Sequence, residues 1–138
     1  MTSPHVTVRI DGASRGNPGP AGIGAVIEFG DARAAKELHA YIGETTNNVA
    51  EYRALLLALD EAGRHSPSSL TVFSDSELLV RQMRGEYKVK ARHLRPLHEE
   101  ARRRLRGFPA VRILHVPREE NRRADFLANL AIDQHRNG

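Results

Sequence analysis

The sequence predicts an α/β fold, a mixed β-sheet flanked by helices on both faces. Three observations lead there. The first third of the chain alternates apolar and polar residues in strand fashion, broken by Gly- and Pro-rich turns. The rest interleaves short apolar runs with stretches of helical period, giving the order β-β-β-α-β-α-α-β-α. Strands joined by short turns pair antiparallel, whereas strands joined through helices run parallel, so the sheet is mixed. At 138 residues and 40% hydrophobic, the chain fits one domain of roughly 100–150 residues, taken as residues 1–138.

The elements follow in order. Val6, Val8 and Ile10 alternate with Thr7, Arg9 and Asp11, a strand pattern. The stretch GASRGNPGPAG reads as a turn, Ile23 to Phe29 as a second strand, and Gly30-Asp31 as a hairpin turn. A third strand is expected near residues 34–42. Residues 48–63 carry Val49, Tyr52, Leu55, Leu56, Leu59 and Ala62 at the 3.6-residue period of a helix, with Asn48 as its cap and Gly63 at its end. Leu70 to Ser74 is a short strand. Ser76 to Arg84 is a short helix that stops at Gly85. Residues 94–106 form a helix with Leu94, Leu97, Ala101 and Leu105 inward. Val111 to Val116 is the last strand, and Asn121 to about Gln134 the last helix.

Composition narrows the function classes. There are no cysteines, which excludes a disulfide framework and a Cys-ligated zinc. No apolar run approaches the ~20 residues of a membrane span, and no secretory signal is visible at the N-terminus; a cytoplasmic protein is expected. The net charge is +4 and the pI about 10.0. Between Lys88 and Arg112 the acids are Glu99 and Glu100, against a run of lysines and arginines. Such a run reads either as a patch for a polyanion or as a solvated helix face.

Four acids stand where elements begin or end. Asp11 closes the first strand, Glu51 falls in the first turn of helix 48–63, Asp75 ends the fourth strand, and Asp125 opens the last helix beside its apolar stripe. Each alone has an ordinary reading: a turn residue, a capping-box acid, a charge favoured by the helix dipole, a surface acid. Together they converge. If the first strand is central and parallel to the fourth, Asp11 and Asp75 end at the same sheet edge. Carboxylates crowded there need a divalent cation among them. An all-oxygen site suits Mg²⁺ or Mn²⁺ rather than zinc, and a pair of such ions suits phosphodiester hydrolysis.

The segments DGASRGNPGPAGIGAV (11–26), TTNNVAEYRALLLAL (45–59), SDSELLVRQMRGEYKVK (74–90) and VPREENRRADFLANLA (116–131) resemble type 1 ribonuclease H, in order and spacing, over nearly the whole chain. The resemblance implies a five-stranded mixed sheet of order 3-2-1-4-5 within a single ribonuclease H domain. It implies cleavage of the RNA strand of RNA–DNA hybrids, with 5′-phosphate and 3′-hydroxyl products and two Mg²⁺ or Mn²⁺ ions. By the same resemblance Asp11, Glu51, Asp75 and Asp125 are the catalytic, metal-holding carboxylates. Gly12, Ala13, Asn17, Asn47, Asn48, Ser76 and Glu77 match positions that line the minor groove, where the 2′-hydroxyl separates RNA from DNA. Thr46 matches a position that binds a DNA-strand phosphate.

Two departures stand out. The extra basic helix with tryptophans, found in well-studied bacterial members, is missing between Met83 and residue 94, and the chain has no tryptophan. The chain resembles instead a compact subgroup, and Lys88, Lys90, Arg92 and Arg95 are the expected replacements for its phosphate contacts. Many members also carry a mobile histidine before the last carboxylate. Here His115 reads as part of a strand, so Arg118 takes the assisting role. A monomer is expected, and double-stranded RNA is a second substrate to test. A hybrid-binding module without catalysis is the competing class, against which the intact acid quartet argues.

Overall fold

The computed structural model describes residues 4–137. Alternation in the N-terminal segment produces β1 (His5–Ser14), β2 (Gly19–Phe29) and β3 (Lys36–Thr45), an antiparallel meander. Helix α1 (Asn47–Gly63) returns the chain across the sheet to β4 (Ser69–Ser74), which pairs parallel to β1. Helices α2 (Glu77–Met83) and α3 (Arg95–Leu105) lead to β5 (Val111–His115), parallel to β4, and α4 (Arg122–Asn137) closes the described chain. Short 3-10 turns cover Arg92–Leu94 and Arg118–Glu120. The strand order is β3-β2-β1-β4-β5, as the family resemblance implied.

The sheet is packed on both faces. On one, Val6, Val8 and Ile10 of β1, Ile27 of β2, and Leu70 and Val72 of β4 meet Ala54, Leu55, Ala58 and Leu59 of α1, all buried. Each buried Val, Leu or Ile among them is worth about 2 kcal/mol relative to exposure. Helix α3 lies on α1 through Ala101, with Leu97 and Leu105 half-buried beside it. On the other face α4 lays Ala124, Leu127, Ala128, Ala131 and Ile132 on β2. Among the described residues no helix is long and apolar enough to cross a membrane.

Three boundaries differ from the sequence reading. The Gly- and Pro-rich stretch is mostly strand: β1 runs through Gly12, Ala13 and Ser14, β2 begins at Gly19, and only four residues turn between them. Gly16 and Gly19 serve the turn, whereas Gly12 and Gly22, with Gly24 beyond, serve helix approach. A β-carbon on Gly12 would stand 2.5 Å from the Glu51 amide nitrogen, and one on Gly24 would stand 2.5 Å from the Ala124 carbonyl oxygen. Because β2 starts early, β3 finds partners as far as Thr45 and lies later than expected, across a bulge at Ala21/Gly22. Helix α1 starts earlier: Thr46, not Asn48, is its cap, its hydroxyl accepting from Val49 N at 3.3 Å. Glu51 therefore sits in the second turn, beyond capping reach.

Candidate active site

The last parallel pair of β1 and β4 is Ile10 with Ser74. The next residue along each chain is an acid, so Asp11, still within β1, and Asp75, just past the end of β4, stand side by side. Glu51 joins them from the opposite face, because Gly12 lets the start of α1 lie directly on β1. Asp11, Glu51 and Asp75 each offer a carboxylate oxygen, and these oxygens lie within 4.8 Å of one another. Asp125 arrives with α4. Gly24 is the ladder partner of Asp11, and the helix that touches it is the turn containing Ala124. Asp125 lines the same cleft, half-buried at its rim.

The electrostatics are those of crowded carboxylates held away from water. Burial pushes the Asp11 carboxyl far above the usual carboxylate range, and the charges of Glu51 and Asp75 push it further. Burial also raises Glu51, against the stabilising Gly12 amide. Burial raises Asp75 as well, partly offset by Asn121 and Arg118. The Glu51 Oε2 atom is buried and has no hydrogen-bond partner, a costly state for an acceptor. Glu61, on the same helix, shows the contrast. It is equally buried, but His65 at 3.1 Å and Lys36 at 3.2 Å surround it. Burial raises the Glu61 carboxyl, yet those hydrogen bonds outweigh the effect and leave it below the ordinary range. Lys36 and Arg64 pair directly with Glu61, whereas Arg118, 3.9 Å from Asp125, only partly offsets the shift of Asp75.

Other side chains order the cleft. Asn121, 1% exposed, donates its amide to the Ile10 carbonyl at 2.8 Å. It also favours the ionised form of Asp75, and its backbone carbonyl accepts from the Asp125 amide at 3.2 Å. Asn129 donates to Asp125 Oδ1 at 3.3 Å. Arg15 spans from the rim to Asp133 at 2.6 Å and Asn129 at 3.2 Å. None of these three was singled out from sequence. Asn121 carried a signal, an amide just before a helix and four residues before an acid, but that pattern reads as a cap.

The residues expected to touch substrate divide into two groups. Gly12, Ala13 and Asn47 line the carboxylate cleft. Asn47 Oδ1 accepts from Ser14 N at 3.0 Å, and Asn17 Oδ1 accepts from Asn47 N at 3.0 Å. Both oxygens are fixed by backbone donors, so both amide NH₂ groups are left for a ligand. Thr46 caps α1. Asn48, Lys88 and Lys90 line a neighbouring cavity. Ser76 and Glu77 do not line the cleft: the Ser76 hydroxyl caps α2 at Leu79 N, and Glu77 pairs with Arg81 at 2.9 Å. Arg118 lines the cleft, its side chain 80% exposed and 3.9 Å from Asp125. His115 ends β5, exposed and outside the cleft lining.

Comparison with known proteins agrees with this geometry. Residues 9–131 match the family model described as reverse transcriptase-like. The chain superposes on LC11-RNase H1, solved in complex with an RNA/DNA hybrid, with a TM-score of 0.88 and 44% identity over 94% of this chain and 98% of that one. The chain belongs to the type 1 ribonuclease H family. The ribonuclease HI of Halobacterium salinarum is 45% identical over 94% of this chain and 65% of its own length. A bifunctional protein of Mycobacterium tuberculosis is 44% identical over 93% of this chain. The chain spans only 35% of that mycobacterial relative. Ribonucleases H are metal-dependent, and the clustered carboxylates with an unpartnered buried oxygen fit a cation. As in a compact ribonuclease H, no helix intervenes among the described residues between α2 and the 3-10 turn at Arg92.

Proposed function

We propose that this chain is an endonuclease that hydrolyses the RNA strand of RNA–DNA hybrids, leaving 5′-phosphate and 3′-hydroxyl ends. One observation carries the reading: the buried carboxylates of Asp11 and Glu51 and the half-buried one of Asp75, from three separate segments, meet within 4.8 Å, with one oxygen left unpartnered. Asp11, Glu51, Asp75 and Asp125 would hold two Mg²⁺ or Mn²⁺ ions, which supply an activated water and neutralise charge on the leaving 3′-oxygen.

The chain's own groups set the substrate. The free NH₂ groups of Asn17 and Asn47 are donors suited to 2′-hydroxyls and to the acceptors of a minor groove. Gly12 and Ala13 leave room for close approach there. Arg118, on the exposed rim beside Asp125, stabilises phosphate charge as it develops. Lys88 and Lys90, with Arg92 and Arg95, take the phosphates of the paired DNA strand.

The test is cleavage of an end-labelled hybrid with Mg²⁺, with Mn²⁺ and with chelator, beside matched RNA and DNA duplexes. Metal-dependent cutting of the hybrid's RNA strand is expected, and Asp75→Asn should bind hybrid without cutting it. Cutting that survives chelation or Asp75→Asn would sink the reading. Cutting of the RNA duplex would widen the substrate range to double-stranded RNA.

A further inference from the structure

Outside the carboxylate cleft, the most continuous feature of the surface is a series of three cavities that winds around the end of α2. The first, about 530 Å³, holds Asn48, neighbour of the cleft residue Asn47, together with Leu78, Tyr87, Lys88 and Lys90. It shares Gln82, Tyr87 and Lys88 with the second, about 440 Å³, where α3 presents Arg95, His98 and Arg102. The third, about 580 Å³, shares Met83, Arg84 and Arg102 with the second and reaches Arg106, Arg112 and the outer strand β5. Arg95, Arg102 and Arg106 follow one another at spacings of seven and four on one side of α3, over about 16 Å.

The track is cationic and its cations are unspent. Lys88, Lys90, Arg102, Arg106 and Arg112 form no ion pair among the described residues. Arg95 is committed only to the Val89 carbonyl, at 3.2 Å. Of the acids that line it, Glu86 is already shared by Arg81 and Arg84 at 3.3 and 3.1 Å, which leaves Glu99. The floor offers apolar surface, with Tyr87 49% exposed and Met83, Leu105, Val111 and Leu114 further along. A line of free cations over an apolar and aromatic floor is the chemistry of single-stranded nucleic acid: phosphates on the cations, bases on the floor. Continuity with the hybrid surface at Asn48 favours nucleic acid over an acidic protein segment. The run also extends well beyond the five-residue edge strand on which a peptide would pair.

We propose that this track binds a single-stranded extension of the hybrid as it leaves the cleft, an inference that rests on the cleft's being the hybrid site. Binding is measured without divalent ion, by anisotropy, on blunt hybrids and on hybrids with a single-stranded tail of about 10 nucleotides on either strand. Wild type should bind one of the tailed hybrids about tenfold more tightly than the blunt one, with a steeper salt dependence. The combined variant Arg102→Gln, Arg106→Gln, Arg112→Gln, all exposed positions, should bind tailed and blunt hybrids alike while cutting blunt hybrid at the wild-type rate. Equal affinity of wild type for tailed and blunt hybrids would overturn the proposal. So would a variant that weakens both equally, since that is general attraction, or tail indifference together with polyglutamate binding to the same arginines. Blunt-hybrid cleavage run in parallel keeps the two readings apart. Its absence overturns the cleft assignment, whereas its presence with no tail effect overturns only the track.

Discussion

Asn121 ties the residue before Asp11 to the start of the helix that carries Asp125. Its side-chain amide reaches the Ile10 carbonyl at 2.8 Å, and its backbone carbonyl receives the Asp125 amide at 3.2 Å. One buried residue, through side chain and main chain, therefore joins strand and helix at the point where the carboxylates gather. Replacing Asn121 with Ala leaves the Ile10 carbonyl without that partner, a loss of about 1–3 kcal/mol. The same change frees Asp75 from its Asn121 neighbour, whereas the bond from the Asp125 amide to the main chain of residue 121 survives it. Asn121→Ala should lower kcat by roughly a hundredfold with little change in KM, and should weaken Mn²⁺ binding in calorimetry. A variant that only lowers Tm, at unchanged kcat and metal affinity, would reduce Asn121 to a structural residue.

Gly12 predicts a second outcome. A β-carbon there would meet the main chain of α1 at Ala50 and Glu51, and main chain cannot step aside as a side chain can. Gly12→Ala should cost about 1–3 kcal/mol of stability and move Glu51 away from Asp11. Hybrid cleavage should fall at least tenfold, read by kinetics beside thermal melts. Near-normal cleavage with a normal Tm would mean that α1 adjusts freely.

Burial, with charge repulsion added, predicts a pH dependence of the metal-free protein's stability. The ordinary carboxyl values are 3.8 for Asp and 4.5 for Glu, and the folded protein raises all three of Asp11, Glu51 and Asp75. Above the ordinary values the folded state retains protons that the unfolded state has lost. Stability from these groups therefore falls as pH rises through the window up to the raised values. Asp11→Asn removes a member of the cluster. In chelator, its stability relative to wild type should grow with pH, by on the order of 1–2 kcal/mol between about pH 5 and about pH 9. Denaturant melts across pH measure this, and a pH-independent difference between the two proteins would contradict it. Added Mg²⁺ should close the gap by stabilising wild type.

Arg118 and His115 compete for one role and are separable. Arg118 lines the cleft, whereas His115, exposed at the end of β5, is not part of its lining. Arg118→Ala should lower kcat roughly tenfold, a change of about 1.4 kcal/mol, with the pH–rate profile otherwise unshifted. His115→Ala should remain within about twofold of wild type. Loss of a limb of the pH–rate profile in His115→Ala would reverse the assignment.

Lys88 and Lys90 are exposed and unpaired beside Asn48. Changing both to Gln should weaken hybrid binding and reduce the slope of log K against log salt by about 1–2. An unchanged slope would remove them from the phosphate-contacting surface.

The four acids were legible in the sequence because the flanking motifs carry a family signature, even though β1 runs past Asp11 to Ser14 and α1 starts before Asn48. The strand order followed for the same reason. What the sequence hid is non-local. Glycine near Pro18 and Pro20 reads as a turn within a short window, whereas Gly12 and Gly24 answer to helices that arrive from 38 and 100 residues away, at Ala50 and Ala124. Asn48 is as good a cap as Thr46 by residue type. The choice fell to Thr46 because the Asn47 side chain is pinned to Ser14. Asn121 was invisible as a site residue since its partner, the Ile10 carbonyl, is a backbone atom on another element.

The two glycine contacts also say how the site tolerates change. At Gly12 and at Gly24 the gap between helix and sheet is set by peptide meeting peptide. Side-chain volumes in a core vary from relative to relative, but the thickness of a main chain does not. The bulkier layers farther along α1 and α4 can be rewritten, residue for residue, while these two anchor points hold Glu51 and Asp125 at a constant height above Asp11. The carboxylate spacing is thereby inherited from backbone dimensions and insulated from drift in the rest of the interior.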